Sequence, residues 1–127
     1  MYRAREKQMS IYDYLPPYHG ELCNANRWVQ LAAAIDWDGF EKAYSELFAP
    51  GGKVALPARV ALGCRIIQLH YAASDREVVA LVQESPYLQY FLGFESFTDA
   101  VPFSSRTVAR FRARIPDKAV RPAVRLL

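Results

Sequence analysis

Residues that ligate zinc are scarce in this sequence, which contains two cysteines and two histidines among 127 residues. Cys23 and Cys64 lie far apart in the chain, and no Cys-x-x-Cys motif occurs beside His19 or His70. The ligand spacing of a structural zinc site is therefore absent. We expect two reduced cysteines in a cytosolic domain, and neither a metal ion nor another cofactor.

Long apolar stretches are also absent. No segment approaches the ~20 residues that a membrane helix needs. The start, Met1 to Gln8, is basic and polar with no apolar run behind it, unlike a secretory signal. The short motifs of nucleophile elbows, phosphate-binding loops and zinc hydrolases are missing as well. We expect a cytoplasmic, nucleoid-associated protein whose partners include neither a membrane nor a small-molecule substrate.

Hydrophobic residues, by contrast, are plentiful. They make up 52% of the chain and include seven Phe, eight Tyr and two Trp. This content is sufficient for a packed core and argues against intrinsic disorder. The length fits one domain of ordinary size.

Positive charge is concentrated at the C-terminal end. The net charge is +3, and the isoelectric point is about 9.0. Residues 104–127 carry seven cations and one anion, whereas residues 1–103 carry nine cations and twelve anions. An acidic body with a basic end segment is typical of proteins that bind nucleic acid or a membrane surface.

Proline and charge divide the chain into three parts. Residues 1–20 contain Arg3, Arg5 and Lys7 and close on a double proline, which indicates an extended basic arm. Residues 21–116 contain the helical patterns described next. Residues 117–127 match no pattern, and we interpret them as a basic tail leading toward a catalytic domain that is absent from this chain.

Two helices are predicted in the first half of the middle part. Asn24 or Asn26 can cap a helix that reaches Ile35. Asp36 can cap a second helix, in which Phe40, Tyr44, Leu47 and Phe48 recur at helical spacing. The Pro and Gly residues at 49–52 should end it as a loop.

The next two helices have clear starts. Pro57 suits the first turn of a helix over residues 58–72, which is apolar on nearly all sides and should lie in the centre of the domain. Ser74 and Glu77 form a capping box that should begin a further helix with one apolar side.

Two more helices complete the prediction. Ser85 and Pro86 should begin a short aromatic helix that Gly93 ends. After a loop at 94–103, Ser104 or Ser105 can cap a last helix that extends to about Ile115. Because six helical patterns and no strand pattern occur, we predict an all-α, compact bundle of about six helices with a helix-turn-helix-like C-terminal part.

The last predicted helix separates basic from apolar residues. At about 100° per residue, Arg106, Arg110 and Arg114 lie within about 80° of one another. Three apolar residues lie on the opposite side: Val108, Phe111 and Ile115. The sequence has no carboxylate between Asp99 and Asp117 that could neutralise the arginines.

This arrangement is suited to DNA. The planar guanidinium of arginine can hold a phosphate or a guanine edge through two hydrogen bonds, and a helix N-terminus with hydroxyls can hold a phosphate. An arginine-rich surface helix without a ligand remains the alternative. The candidate DNA-binding residues are Ser104, Ser105, Arg106, Thr107, Arg110, Arg112 and Arg114.

Other residues are better explained by structure than by chemistry. Asp36, Asp38 and Glu41 could suggest a metal site, but acidic residues in a first helical turn also complement the helix dipole, which we prefer. Because of their spacing, we predict core positions rather than base stacking for a group of aromatic residues: Tyr87, Tyr90, Phe91, Phe94 and Phe97.

Seven short segments resemble the N-terminal domain of InsH-like bacterial DDE transposases, the insertion-sequence-five group. The resemblance covers about residues 13 to 115, and its specificity comes from the order and spacing of the segments rather than from any one of them. They are D-Y-L-P-P at 13–17, A-I-D-W at 34–37, Y-S-E-L-F at 44–48, A-L-P-A-R at 55–59, S-D-R-E-V-V at 74–79, S-P-Y-L-Q-Y-F-L-G at 85–93 and P-F-S-S-R-T-V-A-R-F-R at 102–112.

The resemblance implies a helical DNA-binding domain that recognises the terminal inverted repeats of a transposon. In the family, a downstream RNase-H-like domain carries three carboxylates that hold two metal ions, typically Mg²⁺, for strand cleavage and transfer. The 127 residues leave no room for that domain, so we expect this chain alone to be no enzyme. Double-stranded DNA is the expected partner, with a homodimer possible. The alternative is a protein-interaction module that dimerises the parent transposase without reading DNA.

Overall fold

The computed structural model describes residues 22–43 and 56–127. Within these ranges the chain forms seven α-helices and no strand, which confirms the predicted all-α bundle. The arm predicted at 1–20, the end of the second predicted helix and the loop at 49–52 lie outside the described residues. The helices are α1 (Arg27–Ala34), α2 (Trp37–Ala43), α3 (Ala58–Tyr71), α4 (Asp75–Glu84), α5 (Pro86–Phe91), α6 (Ser105–Arg114) and α7 (Asp117–Val124).

The first two helices begin at the predicted caps. The side chain of Asn26 accepts a hydrogen bond from the backbone N–H of Trp28 at 2.7 Å. Asp36 Oδ1 likewise accepts from the N–H of Gly39 at 3.1 Å. Each side chain satisfies one of the amide groups that a helix start leaves without an intrahelical partner.

Helix α3 is the centre of the domain, as its apolar sequence predicts. Residues 60–68 are all buried, and α3 packs against α2, α4, α6 and α7. Cys64 lies inside this helix with no exposed surface, and burial raises the pKa of its thiol. Cys23, by contrast, is exposed.

The helices α4 and α5 also begin where the sequence predicts. Ser74 and Glu77 form the reciprocal capping box at the start of α4. Ser85 accepts from the N–H of Leu88 at 3.2 Å at the start of α5. Gly93 follows α5 with a φ of 93°, a conformation that glycine adopts without a steric penalty.

Helix α7 is not among the predicted helices; it lies within residues 117–127, which we interpreted as a basic tail. Asp117–Val124 is helical, and it packs on α3 through three buried residues: Ala119, Val120 and Ala123. Pro116 and Pro122 obscured the pattern, since proline usually indicates the end of a helix. Here Pro116 stands just before the helix and Pro122 lies near its end.

The predicted aromatic group is in the core with one exception. Phe91 is fully buried, and Tyr87, Tyr90 and Phe94 pack against the core as partly buried residues. Phe97 is 38% exposed, so its predicted core position is wrong. It lies in the loop after α5, where no helix directs its side chain inward.

Candidate nucleic-acid interface

Helix α6 is held against the bundle by its apolar side. Val108 and Ile115 have no exposed surface, and Phe111 is 9% exposed. The helix packs on α3 and α4. Of the two helices that precede α6 in the chain, α4 supports it, whereas α5 packs on α1 and α4.

Three of the predicted arginines lie on the outward side of α6. Arg106, Arg110 and Arg114 are all exposed. None of their side chains forms a hydrogen bond or an ion pair with another residue in the described part of the chain. Their guanidinium groups are therefore available to a ligand along the length of the helix.

Arg112 is placed differently from the other three arginines. Its Nε donates to Asp75 Oδ1 at 3.0 Å and its Nη2 donates to Asp75 Oδ2 at 2.8 Å. The bond from Arg112, followed by one from Gln68, lowers the pKa of Asp75 to about 2. The same carboxylate raises the pKa of Arg112. The carboxylate that neutralises Arg112 comes from α4, far in sequence from the segment between Asp99 and Asp117.

The N-terminus of α6 presents hydroxyl groups. Ser104 is the N-cap residue, but its side chain makes no capping hydrogen bond. Its hydroxyl instead lies 3.4 Å from that of Thr107. Ser104 is exposed, and Ser105 and Thr107 are half-buried. No side chain caps the first turn, so its backbone N–H groups can bind an anion.

Arg65 is a residue that the sequence analysis missed. It lies on α3, 2% exposed. Its Nε donates to the backbone oxygen of Ile115 at 2.8 Å, its Nη1 donates to Gln68 Oε1 at 2.7 Å, and its Nη2 donates to the carboxylate of Asp117. The available signal was an arginine in the middle of a mostly apolar helix, since a buried charge requires a partner.

The polar contacts of Arg65 extend to Arg112 on α6. Gln68 Nε2 donates to the backbone oxygen of Ala73 at 3.1 Å and to Asp75 Oδ1 at 2.8 Å, and Asp75 in turn accepts from Arg112. This chain of bonds joins α3 to the start of α4, the end of α6 and the start of α7. It borders a groove of about 410 Å³ whose arginines and carboxylates pair with one another.

A family model described as "Transposase domain (DUF772)" matches residues 11–114. The chain belongs to this transposase-domain family. The match covers α1 to α6 and ends at Arg114, before the unpredicted helix α7. It confirms the family suggested by the short segments.

One curated relative of the transposase domain is described as "Uncharacterized protein ORF8 in nfe locus" from Rhizobium meliloti. It is 36% identical over 87 residues. The alignment covers 68% of this chain and 42% of the relative, so the chain spans less than half of the relative's length. No solved structure matches the chain.

Gln89 fixes the loop that leads into α6 of the transposase domain. Its side chain has no exposed surface. Nε2 donates to the backbone oxygens of Val82 at 2.9 Å and Thr98 at 2.6 Å, while Oε1 accepts from the N–H of Thr98 at 2.9 Å. Since all these bonds are internal, Gln89 ties the α5–α6 loop to the end of α4.

Within residues 22–43 and 56–127, no group of three or more His, Cys, Asp or Glu residues could hold a metal ion. Asp36, a possible ligand from sequence, caps α2. Among the same residues, no helix is long and apolar enough to cross a membrane.

Proposed function

We propose that this transposase domain binds double-stranded DNA and recognises the terminal inverted repeats of an insertion sequence, with α6 as the reading helix. The observation that carries the proposal is the outward row of Arg106, Arg110 and Arg114. These residues lie opposite the buried side of a helix that two neighbouring helices hold in place. The domain's transposase family supports a role in transposition.

The dimensions and charge of α6 fit a major groove. Its ten residues span about 15 Å, and the groove is about 12 Å wide and admits an α-helix. Arginine side chains can read the O6 and N7 atoms of guanine there. Hydroxyl and backbone N–H groups at the start of α6 can bind a flanking phosphate, which would set the register of the helix on the duplex.

The placement of α6 resembles a helix-turn-helix with a lengthened turn. α4 lies against α6, as the first helix of that motif does. The intervening segment is longer than a tight turn and contains α5, and Gln89 holds its loop. A loop fixed in this way would keep α6 in one orientation while it enters the groove.

Catalysis is a separate matter, and we propose that this chain alone neither cleaves nor joins DNA and uses no cofactor. The test is incubation of the purified 127-residue chain with supercoiled plasmid in Mg²⁺ or Mn²⁺. We expect no nicked product. Nicking that co-purifies with the protein and disappears in Asp36→Asn or Asp38→Asn would contradict the proposal.

Selection from a pool of random duplexes tests the DNA-reading function. We expect a defined motif to be enriched, and fluorescence anisotropy should then give tighter binding to that motif than to a scrambled duplex. Arg110→Ala should weaken binding, whereas Lys42→Ala, which removes an exposed cation on α2, should not. Failure to enrich any motif, together with a homodimer in sedimentation analysis, would favour the protein-interaction module.

A further inference from the structure

Helix α7 has one buried side and one basic side. Ala119, Val120 and Ala123 are buried against α3. Three cations belong to the helix and its C-terminal cap: Lys118, Arg121 and Arg125. All three are exposed, and none of their side chains has a hydrogen-bond or ion-pair partner among residues 22–43 and 56–127. At about 100° per residue, these cations centre roughly 180° from the buried residues.

The one carboxylate of α7 does not offset this charge. Asp117 accepts a hydrogen bond from buried Arg65. The outward side of α7 therefore keeps three uncompensated positive charges. Three like charges on one helix face repel one another, and an anionic ligand would remove that repulsion.

The bundle also fixes α7 relative to α6. Arg65 bonds to the backbone of Ile115, the C-cap of α6, and to Asp117, the first residue of α7. Both helices pack on α3. The position of α7 relative to the outward side of α6 is therefore set by the bundle.

We propose that Lys118, Arg121 and Arg125 form a second DNA-contact surface, which binds backbone phosphates of the duplex that α6 reads. This inference rests on the proposed function of α6. From Lys118 to Arg125 the helix advances about 10 Å, and one DNA strand carries a phosphate about every 3.4 Å along the axis. The row thus spans about three phosphate steps of one strand.

An anionic membrane is a poorer match for this helix. A helix that lies in a membrane surface buries an apolar face in the lipid. The apolar face of α7 is already buried against α3. Binding to the phosphates of DNA requires only the cations on the outward side of α7.

The test compares two double variants of the 127-residue chain that lose the same charge. One carries Arg121→Gln and Arg125→Gln, and the matched control carries Lys42→Gln and Arg76→Gln, which removes exposed cations on α2 and α4. Affinity for a duplex of arbitrary sequence is measured by anisotropy from 50 mM salt upward. Circular dichroism melts check that each variant folds like the parent chain.

We expect the α7 double variant to reduce the slope of log K against log salt by about two, because each phosphate contact contributes about 0.9. Its affinity should fall on the order of tenfold per lost contact at 0.1 M salt, and the difference should vanish as salt approaches 1 M. The loss of affinity should be equal for all DNA sequences. The control should keep the parent slope, and replacing both arginines with lysine should restore most of it.

Several results would overturn this inference. Equal losses in the α7 and control variants would show that only total charge matters. An unchanged slope in the α7 variant, with weaker binding by Arg110→Ala, would refute the α7 surface and leave the proposed function of α6 standing. Binding to phosphatidylserine vesicles but to no DNA would refute both.

Discussion

Gly63 and Leu92 approach each other so closely that a methyl group on Gly63 would stand 2.5 Å from Leu92 Cδ2. Gly63 lies inside the central helix α3, and Leu92 follows directly after α5. Both residues are buried, and the same methyl group would lie 3.4 Å from the ring of Phe91. The missing side chain at position 63 therefore allows the end of α5 to lie against α3.

Gly63→Ala should destabilise the protein, although alanine favours a helix by about 1 kcal/mol over glycine. Overpacking of a buried site costs about 1–3 kcal/mol, and Leu92 is itself buried. A urea melt of the variant measures the effect. Leu92→Ala combined with Gly63→Ala should remove the clash, so the two changes together should cost less than the sum of the single changes. A stabilised Gly63→Ala single variant would show that the contact is not tight.

The two sides of α6 should respond differently to truncation. Phe111→Ala should lower the free energy of unfolding by about 3–5 kcal/mol through lost burial and a cavity, which can unfold a domain of this size. Arg110→Ala should change it by no more than about 0.5 kcal/mol while weakening DNA binding. Thermal melts and binding titrations on both variants measure these effects. Early melting of Arg110→Ala with normal behaviour of Phe111→Ala would reverse the assignment of the two sides.

Arg65→Met should destabilise the protein by about 1–3 kcal/mol for each of the two buried acceptors that it leaves without a donor, the backbone oxygen of Ile115 and Gln68 Oε1. The carboxylate of Asp117 is 53% exposed, so water can solvate it. Arg65→Lys should also be damaging, since an ammonium group cannot reproduce the bonds of the guanidinium fork to three acceptors. Arg76→Met on the exposed surface of α4 is the control and should change the stability by about 0.5 kcal/mol or less. Denaturant melts of the three variants provide the comparison. A loss below about 1 kcal/mol in Arg65→Met would show that the hydrogen bonds of the Arg65 side chain contribute little to stability.

The bond between Asp75 and Arg112 should appear in the pH dependence of stability. The pKa of Asp75 is lowered from its usual 3.8 to about 2, so the stabilisation is present above pH 3.8 and is lost as pH falls through 2. The difference in melting temperature between the parent chain and Asp75→Asn should therefore be constant near neutrality and shrink between about pH 4 and 2. Arg112→Ala should show the same pH dependence. The double variant Asp75→Asn with Arg112→Ala should lose no more stability than either single change. A difference that persists at pH 2 would contradict this account.

Much of the fold could be predicted because it depends on local chemistry. A cap such as Asn26 or Ser74 bonds to an amide two or three residues away, so the sequence alone contains both partners. The outward positions of Arg106, Arg110 and Arg114 followed from helical spacing in the same way. The apolar content of α3 likewise indicated its central position.

The contacts that the sequence did not indicate are those between distant residues. Arg65 and Ile115 are separated by 50 positions, and Asp75 and Arg112 by 37. Nothing in either local segment specifies such a partner. For this reason Arg112 could not be distinguished from the neighbouring arginines, whereas α7 was missed because of its prolines.

The different burial of Cys23 and Cys64 gives the natural chain one accessible site for chemical labelling. Thiol reagents react with the thiolate, and burial both shields Cys64 and raises the pKa of its thiol. Cys23 is exposed in the segment before α1, where its backbone N–H donates to the hydroxyl of Tyr87. A maleimide fluorophore should therefore attach to Cys23 alone, outside α6 and α7, and report on DNA binding without an engineered cysteine.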